Sequence, residues 1–309
     1  MGTVAERVAT EEPGFIRSRL ASSEARLGYL LLLPTLLMLG VFLAWPFLFG
    51  IWLSLTNAEL QDPGHFIGLA NFKFEFTVDR PFLQAFVNTF LYTGVTTVFK
   101  LGLGLVMALL LNQVFPMQRF ARAALLLPWI IPTVLSTLAW KWMFDPTFSV
   151  VNWVGVHTHL VHYPGPNWFG STGSALTALM IVNIWRGMPF YGISFLAGLQ
   201  TIPVDLYEAA RVDGASRWQQ FLHITVPMLR PVLLVVLLLS TILTFADFQV
   251  PFILTNGAPY NSTHVLATWA YQWGVPGGAI GLGASVSVVL FPLLAILVAG
   301  TLLLIRRTD

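Results

Sequence analysis

Two charged side chains lie inside long apolar stretches of this sequence. Arg186 lies in stretch 175–199 and Asp247 lies in stretch 232–254. A charge at the centre of a bilayer costs at least about 2.5–3.5 kcal/mol, so such a residue is expected to face a cavity or a partner. We predict that these two residues and nearby polar and aromatic side chains line a path for a polar solute: Asn183, Trp185, Arg186, Tyr191, Asp247 and Gln249. The alternative is a buried Arg–Asp pair that only holds helices together.

Other site chemistries are not indicated by the sequence. The chain has 0 Cys, which excludes disulfide scaffolds, Cys-ligated metals and thiol catalysis in these 309 residues. His157, His159 and His162 have a spacing that fits a metal, but no carboxylate or Cys accompanies them. Catalytic carboxylate pairs, nucleophile elbows and Walker A loops are missing from the sequence. We therefore predict no catalytic residues, no metal site and no cofactor in this chain.

The composition indicates a membrane protein. Hydrophobic residues make up 56% of the chain, charged residues only 10%, and the mean hydropathy is +0.74. Soluble proteins carry about 25% charged residues, so this composition excludes an ordinary soluble enzyme, a disordered chain and a nucleic-acid binder.

Six apolar stretches are long enough to cross a bilayer, which takes about 20 residues per helix. They are 27–53, 86–111, 121–144, 175–199, 232–254 and 280–305. The sequence thus predicts an all-α integral membrane protein with about six transmembrane helices. It divides into an N-terminal tail, 1–26, and a transmembrane domain, 27–309.

The distribution of basic residues predicts the orientation. Cytoplasmic loops of membrane proteins are enriched in Lys and Arg. One side would hold eleven of the 16 Lys and Arg residues: Arg7, Arg17, Arg19, Arg26, Arg119, Arg122, Arg211, Arg217, Arg230, Arg306 and Arg307. The other side would hold only Lys73 and Arg80. Both termini are therefore predicted to be cytoplasmic. Lys100 and Lys141, in or at the end of spans, are interpreted as snorkelling or structural.

The connection between the fourth and fifth stretches predicts two short helices. Gly214 supplies a residue free to adopt positive φ, which ends the first helix. Ser216 and Gln219 form a capping-box pattern that starts the second. Pro227 and Pro231 are expected to break this second helix before the fifth span.

Segment 203–231 resembles the EAA loop of permease subunits of bacterial binding-protein-dependent ABC importers. The matching residues are Glu208-Ala209-Ala210, Gly214, Ile224 and Val226-Pro227. Other matching pieces are Phe66–Phe72, Asn88-Thr89, Leu127–Trp129, Trp140–Pro146, Ile184–Phe190 and Leu254–Pro259. The chain is most similar to the first of the two unlike membrane subunits in the maltose/glycerol-phosphate group. Such subunits usually have Phe-Asp where this chain has Phe248-Gln249.

This resemblance implies a type I ABC importer permease fold in the bacterial inner membrane. The implied partners are a second permease subunit, a cytoplasmic ATPase dimer, an extracytoplasmic solute-binding protein and membrane lipid. ATP and Mg²⁺ would bind the ATPase, and a carbohydrate or related polar solute would cross by alternating access. A coupling helix in the EAA loop would contact the ATPase through Glu208, Ala209, Ala210, Arg211, Asp213, Gly214 and Ala215.

Three alternatives remain open from the sequence. A secondary transporter would need an internal repeat and an ion site, and an integral membrane enzyme would need a cluster of catalytic groups. An ABC importer of a non-sugar solute, such as a glycerol phosphate, is equally compatible with the family resemblance. The sequence does not identify the substrate.

Overall fold

The computed structural model describes residues 23–306, and it describes the side chains of 26–303. Within these residues the chain is helical, and the only β-structure is two isolated bridges. The helices are α1 (Ser23–Leu39), α2 (Trp45–Ser54), α3 (Ala70–Thr77), α4 (Arg80–Leu111), α5 (Gln118–Ile130), α6 (Thr133–Met143), α7 (Val150–His157), α8 (Thr172–Gln200), α9 (Val204–Val212), α10 (Arg217–Gln220), α11 (Val226–Phe245), α12 (Gln249–Leu254), α13 (Leu266–Gly274) and α14 (Ile280–Arg306).

The first predicted span belongs to an N-terminal unit, residues 1–52. A π-helical turn, Gly40–Ala44, joins α1 to α2, and the apolar part of this helix, Arg26–Ser54, is 29 residues long. This length and composition are sufficient to cross a membrane. Most of the predicted tail lies outside the described residues.

The second unit, residues 53–309, contains three further helical segments long and apolar enough to cross a membrane. They are Arg80–Leu111, Arg217–Leu254 and Ile280–Leu303. With the N-terminal helix they make four candidate spans among the described residues. A fifth is counted if the bent pair α5 and α6 is one span.

The predicted third span, 121–144, is not one continuous helix, because α5 and α6 meet at 92°. The break lies at Ile131, which has an extended conformation with ψ of 131°. Pro132 disfavours the α-helical conformation of the residue before it, so α5 ends there. Pro128 lies within α5 without ending it.

The predicted fourth span corresponds to α8, a continuous helix of 29 residues. At 1.5 Å per residue it is about 43 Å long. Its polar residues make it less apolar than the four candidate spans, and it packs along α4. Gly187 and Pro189 lie within α8, and the helix runs through both residues.

The helix leading into the predicted fifth span begins earlier than expected. It starts after Ser216 and continues through Pro227 and Pro231, so the predicted proline break is wrong. A π-helical turn, Phe221–Thr225, ends two residues before Pro227. Such turns shift the backbone hydrogen-bond register locally, which accommodates a proline that has no N–H to donate. The actual interruption comes at 246–248, between α11 and α12.

Close packing of α4 against α8 forms the centre of the second unit. A Cβ on Gly104 would lie 2.4 Å from the Cβ of Tyr191 and 3.1 Å from the backbone nitrogen of Gly192. Small residues allow two membrane helices to approach closely. Tyr191 and Phe195 of α8 pack there with Met107 of α4 in a buried apolar cluster.

Asn88 and Thr89 attach the segment before α13 to α4. The Asn88 amide donates hydrogen bonds to the backbone carbonyls of Ser262 (2.8 Å) and His264 (2.9 Å). The Thr89 hydroxyl accepts one from the backbone N–H of Leu266 at 2.9 Å. These two polar residues inside an apolar helix thus satisfy a buried irregular backbone, which a membrane protein cannot leave unpaired.

Candidate functional site

A buried polar cluster lies where α4, α8 and the end of α11 meet. We call it the buried polar cluster, and its members are Tyr92, Lys100, Asn183, Arg186, Thr244 and Asp247. Tyr92 and Lys100 come from α4, whereas Asn183 and Arg186 come from α8. Three segments far apart in the sequence therefore bring two cations and one carboxylate together.

Asp247 lies at the interruption between α11 and α12. One carboxylate oxygen accepts hydrogen bonds from the Tyr92 hydroxyl at 2.8 Å and from the Asn183 amide at 3.1 Å. The other accepts a long hydrogen bond of 3.4 Å from the backbone N–H of Val250, in the first turn of α12. A carboxylate is favourable at a helix N-terminus, where backbone N–H groups are unpaired. The break in the span thus positions and stabilises the charge.

Lys100 is part of the cluster, which the sequence analysis did not predict. Its side chain is 2% exposed, and its ammonium donates to Asn183 Oδ1 at 2.9 Å and to Thr244 Oγ1 at 2.7 Å. Of the two interpretations of Lys100, snorkelling is wrong, because the charge is held inside the protein, whereas a structural role agrees with these hydrogen bonds. Gly187 makes room for it: a Cβ there would lie 2.5 Å from Lys100 Cδ.

Arg186 and Asp247 do not form the direct ion pair that the sequence suggested as an alternative. Among the described residues, Glu208 and Arg211 make the only ion pair within 4.0 Å. The Nη1 atom of Arg186 is buried and has no hydrogen-bond partner. Asp247 instead satisfies its oxygens with Tyr92, Asn183 and backbone.

A small cavity of about 30 Å³ lies within the buried polar cluster. Its walls are Lys100, Trp129, Asn183, Arg186, Gly187, Phe190, Ser240, Leu243, Thr244 and Asp247. Trp129 stacks on Phe190 with ring centroids 5.2 Å apart, so an aromatic pair forms part of the wall. This volume is close to that of one water molecule, so a sugar ring does not fit in this conformation.

The other three predicted path residues lie away from this cavity. Trp185 contacts Trp140 edge-to-face at 5.5 Å, beside a separate pocket of about 360 Å³. Tyr191 is buried in the apolar cluster between α4 and α8. Gln249 is exposed in the first turn of α12. The structure therefore brings together Asn183, Arg186 and Asp247 only, and adds Lys100.

The connection between α8 and α11 has the predicted helix–turn–helix form. Helix α9 ends at Val212, and Gly214, two residues further on, has a φ of +79° that is readily adopted only by glycine. Ser216 and Gln219 form both hydrogen bonds of a capping box at the start of α10. The Tyr207 hydroxyl lies 2.9 Å from that of Thr225, which ties α9 to the helix leading into α11. This segment is consequently a defined structure rather than a loose linker.

The predicted contact residues lie on the exposed side of this segment, with two exceptions. Glu208 and Arg211 form an exposed ion pair at 3.8 Å, and Ala209, Asp213 and Gly214 are also exposed. Ala210 and Ala215 are half-buried and line a groove of about 190 Å³ against the chain itself.

Two apolar side chains beside these residues were not predicted. Val212 is 87% exposed and Trp218 is 66% exposed. Exposed apolar groups next to charged ones are typical of protein contact surfaces. Trp218 also stacks on Phe221, which limits its freedom.

A second buried acid lies outside the candidate spans, on α3. Glu75 is fully buried, and one carboxylate oxygen contacts the Ser285 hydroxyl of α14 while the other has no partner. Burial raises the pKa of Glu75 to about 7, the Ser285 hydrogen bond opposes this, and the charge of nearby Asp79 adds to it. Asp79 itself is held by the indole N–H groups of Trp269 and Trp273, each at 2.9 Å.

The three histidines of the 157–162 stretch do not form a metal site among the described residues. His157 stacks on Trp153 with ring centroids 4.1 Å apart. Both rings line an open groove of about 740 Å³ together with residues 146–150, 152, 156, 163 and 164.

The fold and its buried charges define an α-helical, multi-pass membrane protein. Residues 100–308 match the model of the family described as binding-protein-dependent transport system inner membrane component. The chain belongs to this family, of which the EAA motif and the coupling helix are typical.

Two relatives match along most of their length. The trehalose/maltose transport system permease protein MalF of Thermococcus litoralis is 35% identical, over 90% of this chain and 93% of that protein. The sulfoquinovosyl glycerol transport system permease protein SmoG of Agrobacterium fabrum is 36% identical, over 92% of this chain and 91% of that protein. These relatives are permease subunits, which are transport components.

A solved structure confirms the fold. A bacterial ABC transporter involved in import of the acidic polysaccharide alginate matches with a TM-score of 0.79 and 24% identity, covering 94% of this chain and 98% of that one. The predicted all-α type I importer permease fold is therefore correct.

Proposed function

We propose that this chain is one of two membrane subunits of an ATP-driven importer that moves a carbohydrate into the cytoplasm. The observation that carries the proposal is the ordered helix–turn–helix at 203–231, which matches the EAA loop and exposes charged and apolar side chains together. One relative is named for trehalose/maltose transport and another for sulfoquinovosyl glycerol transport, and both names support a carbohydrate substrate.

In this proposal the chain supplies the path and the coupling, whereas a partner ATPase dimer binds ATP and Mg²⁺. A second, unlike permease subunit completes the path, and an extracytoplasmic binding protein delivers the solute. Both termini and segment 203–231 face the cytoplasm, in agreement with the distribution of Lys and Arg. A solved alginate transporter in complex with a substrate-bound periplasmic protein has this fold, with a TM-score of 0.77.

The exposed loop surface is suited to reversible docking. The Glu208–Arg211 pair is exposed, and such pairs contribute only about 0–1 kcal/mol to stability. Its charges are therefore free to orient a partner, while Val212 and Trp218 offer apolar area that docking would remove from water. The link between Tyr207 and Thr225 would carry motion of α9 to α11.

The buried polar cluster is the proposed contact point on the solute path. Since its cavity of about 30 Å³ cannot hold a sugar, alternating access requires α4, α8 and α11 to separate there. Hydroxyl-rich solutes would then meet amide, hydroxyl and charged groups beside the Trp129–Phe190 stack.

The test is uptake by the complete complex reconstituted in proteoliposomes. We expect accumulation of a labelled carbohydrate only with ATP on the side of the ATPase and with the binding protein present. Accumulation driven by an ion gradient without ATP would contradict the proposal and would favour a secondary transporter.

A further inference from the structure

The buried polar cluster carries an unbalanced charge. Lys100 and Arg186 are cations, and Asp247 is the single carboxylate that lies with them. Each oxygen of Asp247 already accepts at least one hydrogen bond, from Tyr92, Asn183 or the backbone, and neither lies within 4.0 Å of an Arg186 nitrogen. The formal balance of the cluster is therefore one positive charge in excess.

Arg186 is the group that lacks compensation. Lys100 donates to Asn183 and Thr244, whereas Nη1 of Arg186 is buried without any partner. Arg186 as a whole is half-buried, but its Nη1 atom has lost water on burial and has gained no acceptor in the protein, which is unfavourable for a charged donor. A site that keeps such a group unpaired is arranged for a ligand that supplies the missing acceptor.

The cavity beside Arg186 has the size of one small polar group. Its volume of about 30 Å³ is too small for a sugar ring, but it is comparable with a carboxylate or with the outer oxygens of a sulfonate. A guanidinium presents parallel N–H groups that bind two oxygens of an oxyanion at once.

We propose that this cavity is a subsite for an oxyanion on the transported solute, so that the substrate is an acidic carbohydrate bearing a carboxylate or a sulfonate. The inference rests on the proposed import function and narrows its substrate class. Arg186 binds the oxyanion directly, Lys100 contributes the second positive charge, and Asp247 with Asn183 holds Lys100 and the wall in place. The sugar ring lies outside the small cavity, along the path that opens when the helices separate.

The first test is equilibrium binding to the complete complex in lipid nanodiscs, without ATP and without the binding protein. The probes are methyl glucoside, methyl glucuronide and methyl sulfoquinovoside, which differ at C6 by a hydroxyl, a carboxylate and a sulfonate. We expect at least one anionic probe to bind about tenfold more tightly than methyl glucoside, the effect of one charge-assisted hydrogen bond. The stronger of the two anionic probes identifies the oxyanion.

Variants distinguish binding at this subsite from a nonspecific effect of positive charge elsewhere in the protein. Arg186→Gln should abolish the preference for the anionic probe, and Arg186→Lys, which keeps the charge but loses the fork, should retain part of it. Arg119→Gln, at an exposed arginine outside the cavity, should leave the preference unchanged. Equal binding of all three probes, no binding of any, or an unchanged preference in Arg186→Gln overturns the subsite. If Arg186→Gln does not assemble, Arg186→Lys carries the test instead: a reduced preference is expected, and an unchanged preference overturns the subsite.

Uptake distinguishes failure of the subsite from failure of the proposed function. With the binding protein present, proteoliposomes are offered acidic and neutral oligosaccharides, and their contents are identified by mass spectrometry. ATP-driven uptake restricted to neutral sugars overturns the oxyanion subsite and leaves the importer intact. A lack of ATP-driven uptake of any carbohydrate overturns the proposed function itself.

Discussion

Asn183 donates a hydrogen bond of 3.1 Å to the carboxylate of Asp247, which lies 64 residues further along the chain. The same Asn183 side chain accepts from Lys100, so one amide connects the carboxylate to the buried ammonium. This contact links α8 to the interruption after α11 and to α4. The three elements are thereby joined by polar groups at the point where the proposed path must open.

Removing the carboxylate should destabilise the protein strongly. Asp247→Asn leaves Lys100 and Arg186 without a negative charge, and breaking a buried charge arrangement costs about 3–5 kcal/mol. The double variant Asp247→Asn with Lys100→Met should recover at least about 1 kcal/mol of this, because one of the two excess charges is gone. Thermal unfolding of the assembled complex measures both effects. If the double variant loses as much stability as the two single changes added together, Lys100 and Asp247 are not coupled.

The close approach of α4 and α8 predicts a steric effect at Gly104. Gly104→Ala places a Cβ 2.4 Å from Tyr191 Cβ, so the helices must move apart, and we expect a loss of about 1–3 kcal/mol. Gly102→Ala is the matched control two residues away, since a Cβ there meets nothing within 4 Å. Its effect should stay within about 0.5 kcal/mol. Equal melting temperatures for the two variants would contradict the packing.

Glu75 predicts a pH-dependent stability. Because burial raises its pKa from 4.5 to about 7, the folded protein keeps the proton where the unfolded chain releases it. The contribution of Glu75 to stability is therefore complete below pH 4.5, falls as pH rises toward about 7, and is level above that. Glu75→Gln should remove this part of the pH profile. If the melting temperatures of wild type and Glu75→Gln change with pH in parallel between about pH 5 and pH 8, this prediction is contradicted.

The loop variants Glu208→Ala and Gly214→Ala should reduce association with the ATPase and reduce ATP-driven uptake. Glu208→Ala removes an exposed charge, and Gly214→Ala strains a residue at φ +79° by about 1–2 kcal/mol. Gly278→Ala is a control with similar strain, because Gly278 has φ +69° and also open space around it, in the connection between α13 and α14. It should leave ATPase association intact. Normal association and uptake in both loop variants would refute the coupling role.

The loop was predictable from sequence because its signals are local. A glycine at positive φ, a capping box and fixed spacings each depend on neighbours in the chain, and Gly214, Ser216 and Gln219 adopt the expected conformations. The apolar stretches were predictable for a similar reason, because hydropathy is read within one segment.

The buried contacts and helix breaks were less predictable. Lys100 pairs with Asn183 and Thr244, 83 and 144 residues away, and no local pattern indicates this. Proline gave an ambiguous signal: Pro132 ends a helix, whereas Pro189 and Pro231 lie within helices. Neighbouring turns and packing decide whether a membrane helix tolerates a proline.

The central claim is that α9 docks on the ATPase, and cross-linking between the two tests it most directly. The chain has 0 Cys, so Val212→Cys introduces a unique thiol at a position that is 87% exposed. A photoactivatable maleimide on this thiol should cross-link the chain to the ATPase in the complete complex. Val275→Cys, exposed in the connection between α13 and α14, should give no such product. Failure of Val212→Cys to cross-link the ATPase, or equal products from both positions, would contradict the account.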